Sequence, residues 1–209
     1  MQSLRNQILA RIRGKGRGCV FSSKDFLDLG GRNPVDKALS RLCAQGVIRR
    51  VTSGIYDFPR EEEELGGRLS PDIQQVARAI ARKNGVTIQP SGALAANLLG
   101  LSTQVPAKIV YLTNGKSRTV EINNRTLIFK RVKPREMRPG NEISILVTQA
   151  LRFLGKERIE KNIINHLQQQ LSDADQKKLL KDARYMEDWI WEVVRRIALK
   201  ENRRRNRLG

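Results

Sequence analysis

The stretch Asn33-Pro34-Val35-Asp36-Lys37-Ala38-Leu39-Ser40-Arg41-Leu42-Cys43-Ala44-Gln45-Gly46 reads as one helix. Val47-Ile48-Arg49-Arg50-Val51-Thr52-Ser53-Gly54-Ile55-Tyr56-Asp57-Phe58 reads as the hairpin that follows it. In the first part, Val35, Ala38, Leu39, Leu42 and Cys43 recur at offsets of 3, 4, 7 and 8, the stripe of an amphipathic helix. Asn33 offers a cap, Pro34 suits the first helical position, Asp36 complements the helix dipole and Gly46 stops the helix. The opposite face carries Asn33, Lys37, Ser40, Arg41 and Ala44. In the second part, two β-prone runs, Val47 to Val51 and Ile55 to Phe58, flank Thr52-Ser53-Gly54, which supplies the turn.

Upstream, Leu4, Ile8, Leu9 and Ile12 share one helical face, which Gly14 ends. Cys19-Val20-Phe21 is long enough for one short strand. Ser22 and Ser23 offer caps to a second helix carrying Phe26, Leu27 and Leu29, and Gly30-Gly31 breaks it. Helix, short strand, helix, helix and two-stranded wing is the order of a winged helix-turn-helix. A DNA major groove about 12 Å wide admits a helix whose short polar and basic side chains reach base edges.

On that reading the candidate DNA contacts follow from residue type. Arg32, Lys37 and Arg41 suit phosphates or guanine edges, and Asn33 and Ser40 read bases at shorter reach. Arg49 and Arg50, with Thr52 and Ser53 at the tip, lay the wing beside a backbone; Ser22, Ser23 and Lys24 offer groups to a further phosphate. Winged helices also serve as protein-binding modules, and a polar helix face can simply be solvated.

Charge points the same way. Forty Lys and Arg against 21 Asp and Glu in 209 residues give a formal charge of +19, which favours polyanions. Residues 1–60 hold 12 basic and 4 acidic side chains, so the N-terminal part is denser in positive charge than the remainder. The charge by itself does not choose among DNA, RNA and acidic membranes. There is no apolar run of membrane-span length and no signal peptide at the start, so the expected compartment is the cytoplasm.

Downstream, the clearest break lies between Pro59 and Pro71, where Glu61 to Glu64 are followed by Gly66-Gly67 and Ser70-Pro71. The expected division is 1–61 as the DNA-binding domain, 62–199 as a second domain and 200–209 as a basic tail. In the second domain, Ile73, Val76, Ala77, Ile80 and Ala81 make one amphipathic helix and Ser91 to Leu99 another. Strands are expected at Ile109 to Leu112, Val120 to Ile122 and Leu127 to Phe129, with Asn114-Gly115 as a hairpin signal. From Glu142 the pattern is helical, ending in the stripe Met186, Trp189, Ile190, Val193, Val194 and Ile197. The fold class is therefore α+β: a winged helix-turn-helix, then a small antiparallel sheet with a helical bundle.

Trp191 lies off the last stripe, either half-buried against a neighbouring helix or exposed as an anchor for a protein partner. His166, among Asn162, Asn165 and Gln169, reads as a surface or half-buried side chain. Cys19 and Cys43 lie in apolar patterns and read as free thiols. With no CxxC or HxxxH spacing, and no GxxxxGK, GxSxG or HExxH, neither an enzyme nor a metal or other cofactor is expected. Arg203 to Arg207 end the chain as solvated charge or as non-specific phosphate contacts.

With these elements in order, the chain resembles the AbiEi-like antitoxins of the abortive-infection AbiE type. The similarity runs through Leu42-Cys43-Ala44-Gln45-Gly46-Val47-Ile48-Arg49-Arg50 and Gly54-Ile55-Tyr56. It continues through Pro90-Ser91-Gly92-Ala93-Leu94-Ala95-Ala96-Asn97-Leu98-Leu99-Gly100-Leu101-Ser102-Thr103-Gln104-Val105-Pro106 and Val110-Tyr111-Leu112-Thr113-Asn114-Gly115, covering about residues 5 to 155. The resemblance implies a repressor of its own operon that counteracts a nucleotidyltransferase-like toxin, and it implies no catalytic residue. Two other readings stand beside it: a winged-helix regulator whose C-terminal domain senses a ligand or dimerises, and an RNA-binding protein. Against the last speaks the scarcity of aromatics, 5%.

Overall fold

The computed structural model describes residues 2–62, 67–104, 108–133, 136–137 and 140–199. Its elements run α1 (Leu4–Lys15), β1 (Val20–Phe21), a 3-10 turn (Ser23–Phe26), α2 (Arg32–Ala44), β2 (Arg49–Thr52), β3 (Ile55–Asp57), β4 (Glu61–Glu62) and β5 (Gly67–Arg68). There follow α3 (Ile73–Asn84), β6 (Ile88–Pro90), α4 (Gly92–Leu98), β7 (Lys108–Thr113), β8 (Arg118–Ile122) and β9 (Arg125–Arg131). Four helices end the described chain: α5 (Glu142–Leu154), α6 (Lys161–Gln170), α7 (Asp173–Ala183) and α8 (Asp188–Ala198). The class is α+β, with small antiparallel sheets and several helices. No helix among the described residues is long and apolar enough to cross a membrane. The chain forms two compact units: Met1–Ile88 with Thr113–Phe129, and Gln89–Leu112 with Lys130–Gly209.

The first unit grows around aromatic rings. Phe21 and Phe26 are fully buried and meet edge to face at 5.4 Å, and Phe21 stacks on Tyr56 at 6.4 Å. Ile8 and Ile12 of α1, Val35, Leu39 and Leu42 of α2, and Ile48 close this core with at most 1% exposure. Burying each such side chain contributes on the order of 1.5–3 kcal/mol. The helix expected over residues 23 to 29 is only a 3-10 turn. Asp25 accepts the Ser22 backbone N–H at 2.8 Å, closing a four-residue loop, and Leu27 is left 41% exposed.

α2 begins two residues earlier than the Asn33-Pro34 signal suggests, with Gly31 as its cap, Asn33 second and Pro34 third. A proline without an N–H is as harmless there as at the first position, because no first-turn N–H has an intrahelical acceptor. The three short strands order β1-β3-β2, all antiparallel. A register shift between Arg50 and Thr52 bulges β2, and Gly54 turns the hairpin at φ +66°.

The predicted boundary near residue 62 falls inside this first unit. β4 pairs with β5 across Glu61↔Arg68 and Glu62↔Gly67, and α3 packs on β1, β3 and the 3-10 turn. Arg82 of α3 bonds the Asp25 carboxylate at 3.2 Å and the Val20 carbonyl at 3.1 Å. β8 and β9 join the same unit as a hairpin in register from Arg118↔Phe129 to Ile122↔Arg125, turned at Asn123 with φ 52°. Asn114-Gly115, expected to turn a hairpin, instead accepts the Thr87 N–H through Asn114 and donates the Gly115 N–H to the Thr113 hydroxyl.

The second unit is built on helix packing. Ala95, Ala96 and Leu99, Val147, Ala150 and Leu151, Ile164 and Leu167, Leu179, and Ile190, Val194 and Ile197 form one core drawn from α4 to α8. Gly92 allows α4 and α5 to approach: a Cβ there would lie 2.6 Å from Phe153 Cβ and 3.0 Å from the Gln149 carbonyl. His166 is half-buried and donates from Nε2 to the Leu99 carbonyl at 2.8 Å, satisfying an acceptor at the end of α4.

Candidate nucleic-acid interface

The α2 stripe places Val35, Ala38, Leu39 and Leu42 inward, which leaves the opposite face to solvent. Asn33, Lys37, Ser40 and Arg41 are placed on that outer side, and Lys24 stands exposed after β1. Among the described residues none of these five side chains has a hydrogen-bond or ion-pair partner. Lys37 and Arg41 stand one turn apart, so two cations project from one face with no acid between them. Arg32 is exposed at the helix start and pairs with Asp36 at 2.9 Å, an i,i+4 bridge that water weakens.

The hairpin treats its two arginines differently. Arg49 forks onto the buried Asp57 carboxylate, Nε to Oδ1 at 3.1 Å and Nη2 to Oδ2 at 2.6 Å, and also donates to the Leu69 carbonyl at 2.8 Å. Asp57 is 1% exposed, so this bridge satisfies a charge that could not otherwise be buried. The expectation that Arg49 reaches a phosphate is corrected: its guanidinium is engaged by Asp57 and the Leu69 carbonyl, with the side chain only partly exposed. Arg50 lies on the outer side, its Nη2 donating to the Tyr56 hydroxyl at 3.0 Å and its guanidinium over the ring at 5.4 Å. Ser53 is exposed at the tip and Thr52 half-exposed.

Ser22 and Ser23 are corrected as well. They are 0% and 4% exposed, and the Ser22 hydroxyl donates to Asp25 at 3.2 Å, so neither offers a group to solvent. The sequence-read residues that the structure leaves exposed or half-exposed are Lys24, Arg32, Asn33, Lys37, Ser40, Arg41, Arg50, Thr52 and Ser53. One neighbour was missed. Lys83, in the last turn of α3, donates from Nζ to the Ser53 carbonyl at 2.6 Å. Burial first, then the charges of Arg118 and Arg32, hold this ammonium below its ordinary pKa, while Asp36 pulls the other way. Basic residues at a helix C-terminus are common, so nothing in the sequence singled Lys83 out.

In the second unit, Trp191 is half-buried against the bundle core, as is Trp189. Of the two readings the sequence left open for Trp191, this placement agrees with the half-buried one and not with an exposed anchor for a partner. Cys19 and Cys43 are free and half-buried, and burial pushes the Cys19 thiol up. No group of three or more His, Cys, Asp or Glu among the described residues could hold a metal ion. The tail from Arg203 to Arg207 lies outside the described residues.

A search of curated proteins finds no match to this chain. Residues 7–179 match a family described as a family of unknown function, DUF6088, and the chain belongs to that family.

Proposed function

We propose that the chain is a duplex-DNA-binding regulator whose first unit is a winged helix-turn-helix. In this reading the 3-10 turn and α2 are the helix-turn-helix pair, α2 enters the major groove and β2–β3 is the wing. One observation carries it: Asn33, Lys37, Ser40 and Arg41 share the outer face of α2 with no intramolecular partner among the described residues. Short amides and hydroxyls interleaved with cations suit both base edges and phosphates. The exposed Arg50 and Ser53 on the adjoining hairpin extend the same chemistry to a neighbouring backbone.

The second half of the proposal rests on the resemblance through Pro90 to Pro106 and Val110 to Gly115. It assigns the chain the role of an antitoxin of the abortive-infection type. It represses its own operon and counteracts a nucleotidyltransferase-like toxin in the cytoplasm, and no catalytic step, cofactor or membrane is assigned to it.

The test is a gel shift on duplex DNA from upstream of the chain's own gene. Wild type shifts it and Lys37→Glu with Arg41→Glu does not, with circular dichroism unchanged. A double variant that binds as wild type overturns the assignment of α2. For the antitoxin half, the protein is co-expressed with the neighbouring gene. Absence of any growth defect to rescue, or absence of rescue, overturns that half alone.

A further inference from the structure

We infer that the β8–β9 hairpin and the C-terminal end of α3 form a second phosphate-contacting element beside β2–β3, with Lys83 and Arg118 as its cations. The inference rests on the DNA reading of the first unit and extends its footprint along the sugar-phosphate backbone. Three elements far apart in sequence carry it. Lys83 is fixed at the turn of the β2–β3 hairpin by its bond to the Ser53 carbonyl, and it lies so close to Gly54 that a Cβ there would sit 2.6 Å from Nζ. Arg118, the first residue of β8, is exposed and bonds the Asn84 amide oxygen at 3.3 Å, one residue beyond Lys83. β8 itself lies against β2.

The charges converge rather than disperse. Arg118 and Arg32 are both near enough to oppose protonation of Lys83, and Asp36 is the acid that acts against them. Gathered like charges cost the folded state free energy, and among the described residues only Arg32 of the three has an acid for partner, while Lys83 and Arg118 bond neutral oxygens. A phosphate placed among them would attract each cation and offset their mutual repulsion. Lys116, exposed in the loop that leads into β8, adds a further cation to the same edge. A neutral acceptor explains where Lys83 points; it does not explain why Arg118 is brought beside it by a segment returning from residue 113.

The experiment measures binding of the full chain to a random-sequence duplex of about 30 base pairs, chosen because backbone contacts carry no sequence information. Four proteins are compared across a salt series: wild type, Lys83→Gln with Arg118→Gln, Lys37→Glu with Arg41→Glu, and Lys177→Gln with Lys181→Gln. The last removes the same two charges from exposed positions on α7. Removing two phosphate contacts should weaken binding about tenfold and flatten the log-affinity against log-salt slope by about 0.9 for each. The α7 control should keep the wild-type slope. Arg118→Gln alone, at an exposed site whose side chain bonds Asn84, keeps the test open should the double variant unfold. A wild-type slope in the Lys83/Arg118 variants beside weakened binding in Lys37→Glu/Arg41→Glu overturns this inference alone. An equal weakening in the α7 control overturns it too, and wild type that binds no duplex overturns the DNA reading with it.

Discussion

α2 in the first unit and α8 in the second are both amphipathic helices with an ion pair along the helix, and they differ in what else the outer face carries. α8 buries Ile190, Val193, Val194 and Ile197 and pairs the exposed Glu192 with Arg195 at 3.6 Å, three residues on. α7 does the same with Asp175 and Lys178 at 3.8 Å. α2 buries an equivalent stripe, yet its Lys37 and Arg41 have no partner among the described residues. Elsewhere in the first unit arginines are firmly engaged: Arg11 forks onto Asp28 at 2.6 and 2.7 Å, and Arg49 onto Asp57. The unit does not lack acids near its cations in general. What sets the outer face of α2 apart is the mixture it carries: Lys37 and Arg41 one turn apart beside Asn33 and Ser40, cations interleaved with short polar groups that suit phosphates and base edges.

The sharpest way to break the comparison is charge reversal on α2. Lys37→Glu with Arg41→Glu should cost roughly 2–6 kcal/mol of DNA binding, at about 1–3 kcal/mol per contact, and leave the unfolding temperature unchanged. Titrations by fluorescence anisotropy measure the first and thermal melts the second. A large fall in Tm would mean that these side chains serve the fold.

Arg49→Ala should do the reverse, losing about 3 kcal/mol of stability because Asp57 is left charged and buried. The figure is taken at the low end because the arginine side chain is 28% exposed. Arg49→Ala with Asp57→Ala should recover part of that stability in urea melts. Additive effects in the double variant would show that the bridge is not the source.

Deleting Arg203 to Arg207 should weaken operator and random duplex equally, and flatten the salt slope by about 0.9 for every phosphate the tail neutralises. An unchanged slope leaves the tail as solvated charge. Smallest of all, Glu192→Gln with Arg195→Gln should change stability by under about 0.5 kcal/mol and leave DNA binding untouched. A DNA effect as large as that of the α2 variant would erase the contrast between the two helices.

What the sequence made legible was periodicity. The α2 stripe, the α8 stripe and the hairpin turn at Ser53-Gly54 all lie where spacing and turn chemistry put them. The pairing of Arg49 was hidden by one residue. Counting straight back from Thr52↔Ile55 sets Arg49 opposite Phe58; the bulge in β2 moves it opposite Asp57. No local pattern announces such a bulge, and it decides whether an arginine clamps the fold or faces a ligand.

The side of the Pro59–Pro71 break to which α3 belongs was hidden for a different reason. Acidic and glycine residues there read as a linker, while the bonds from Arg82 to Asp25 and Val20 join positions 57 and 62 residues apart and leave no trace in composition. Ser22 and Ser23 were misplaced because a serine that caps a turn and a serine that meets a phosphate look the same in one dimension. Trp191 lies off its stripe and is still covered, because α8 packs against both α6 and α7.

The first unit is discontinuous, and this has a consequence for how the chain is made. Met1–Ile88 is complete only when Thr113–Phe129 has joined it. Synthesis proceeds at about 5–20 residues per second from the N-terminus. The cores of α1, α2 and the three-stranded sheet therefore have their nearest partners early and can collapse while the ribosome is still reading. The β8–β9 hairpin has to wait until the excursion Gln89–Leu112 has been made, and its non-local docking is slower than the local contacts of the earlier elements. During that interval a nascent chain presents α2 and β2–β3 without the edge that Arg118 adds. A translational pause before Phe129 is added would lengthen the life of that intermediate.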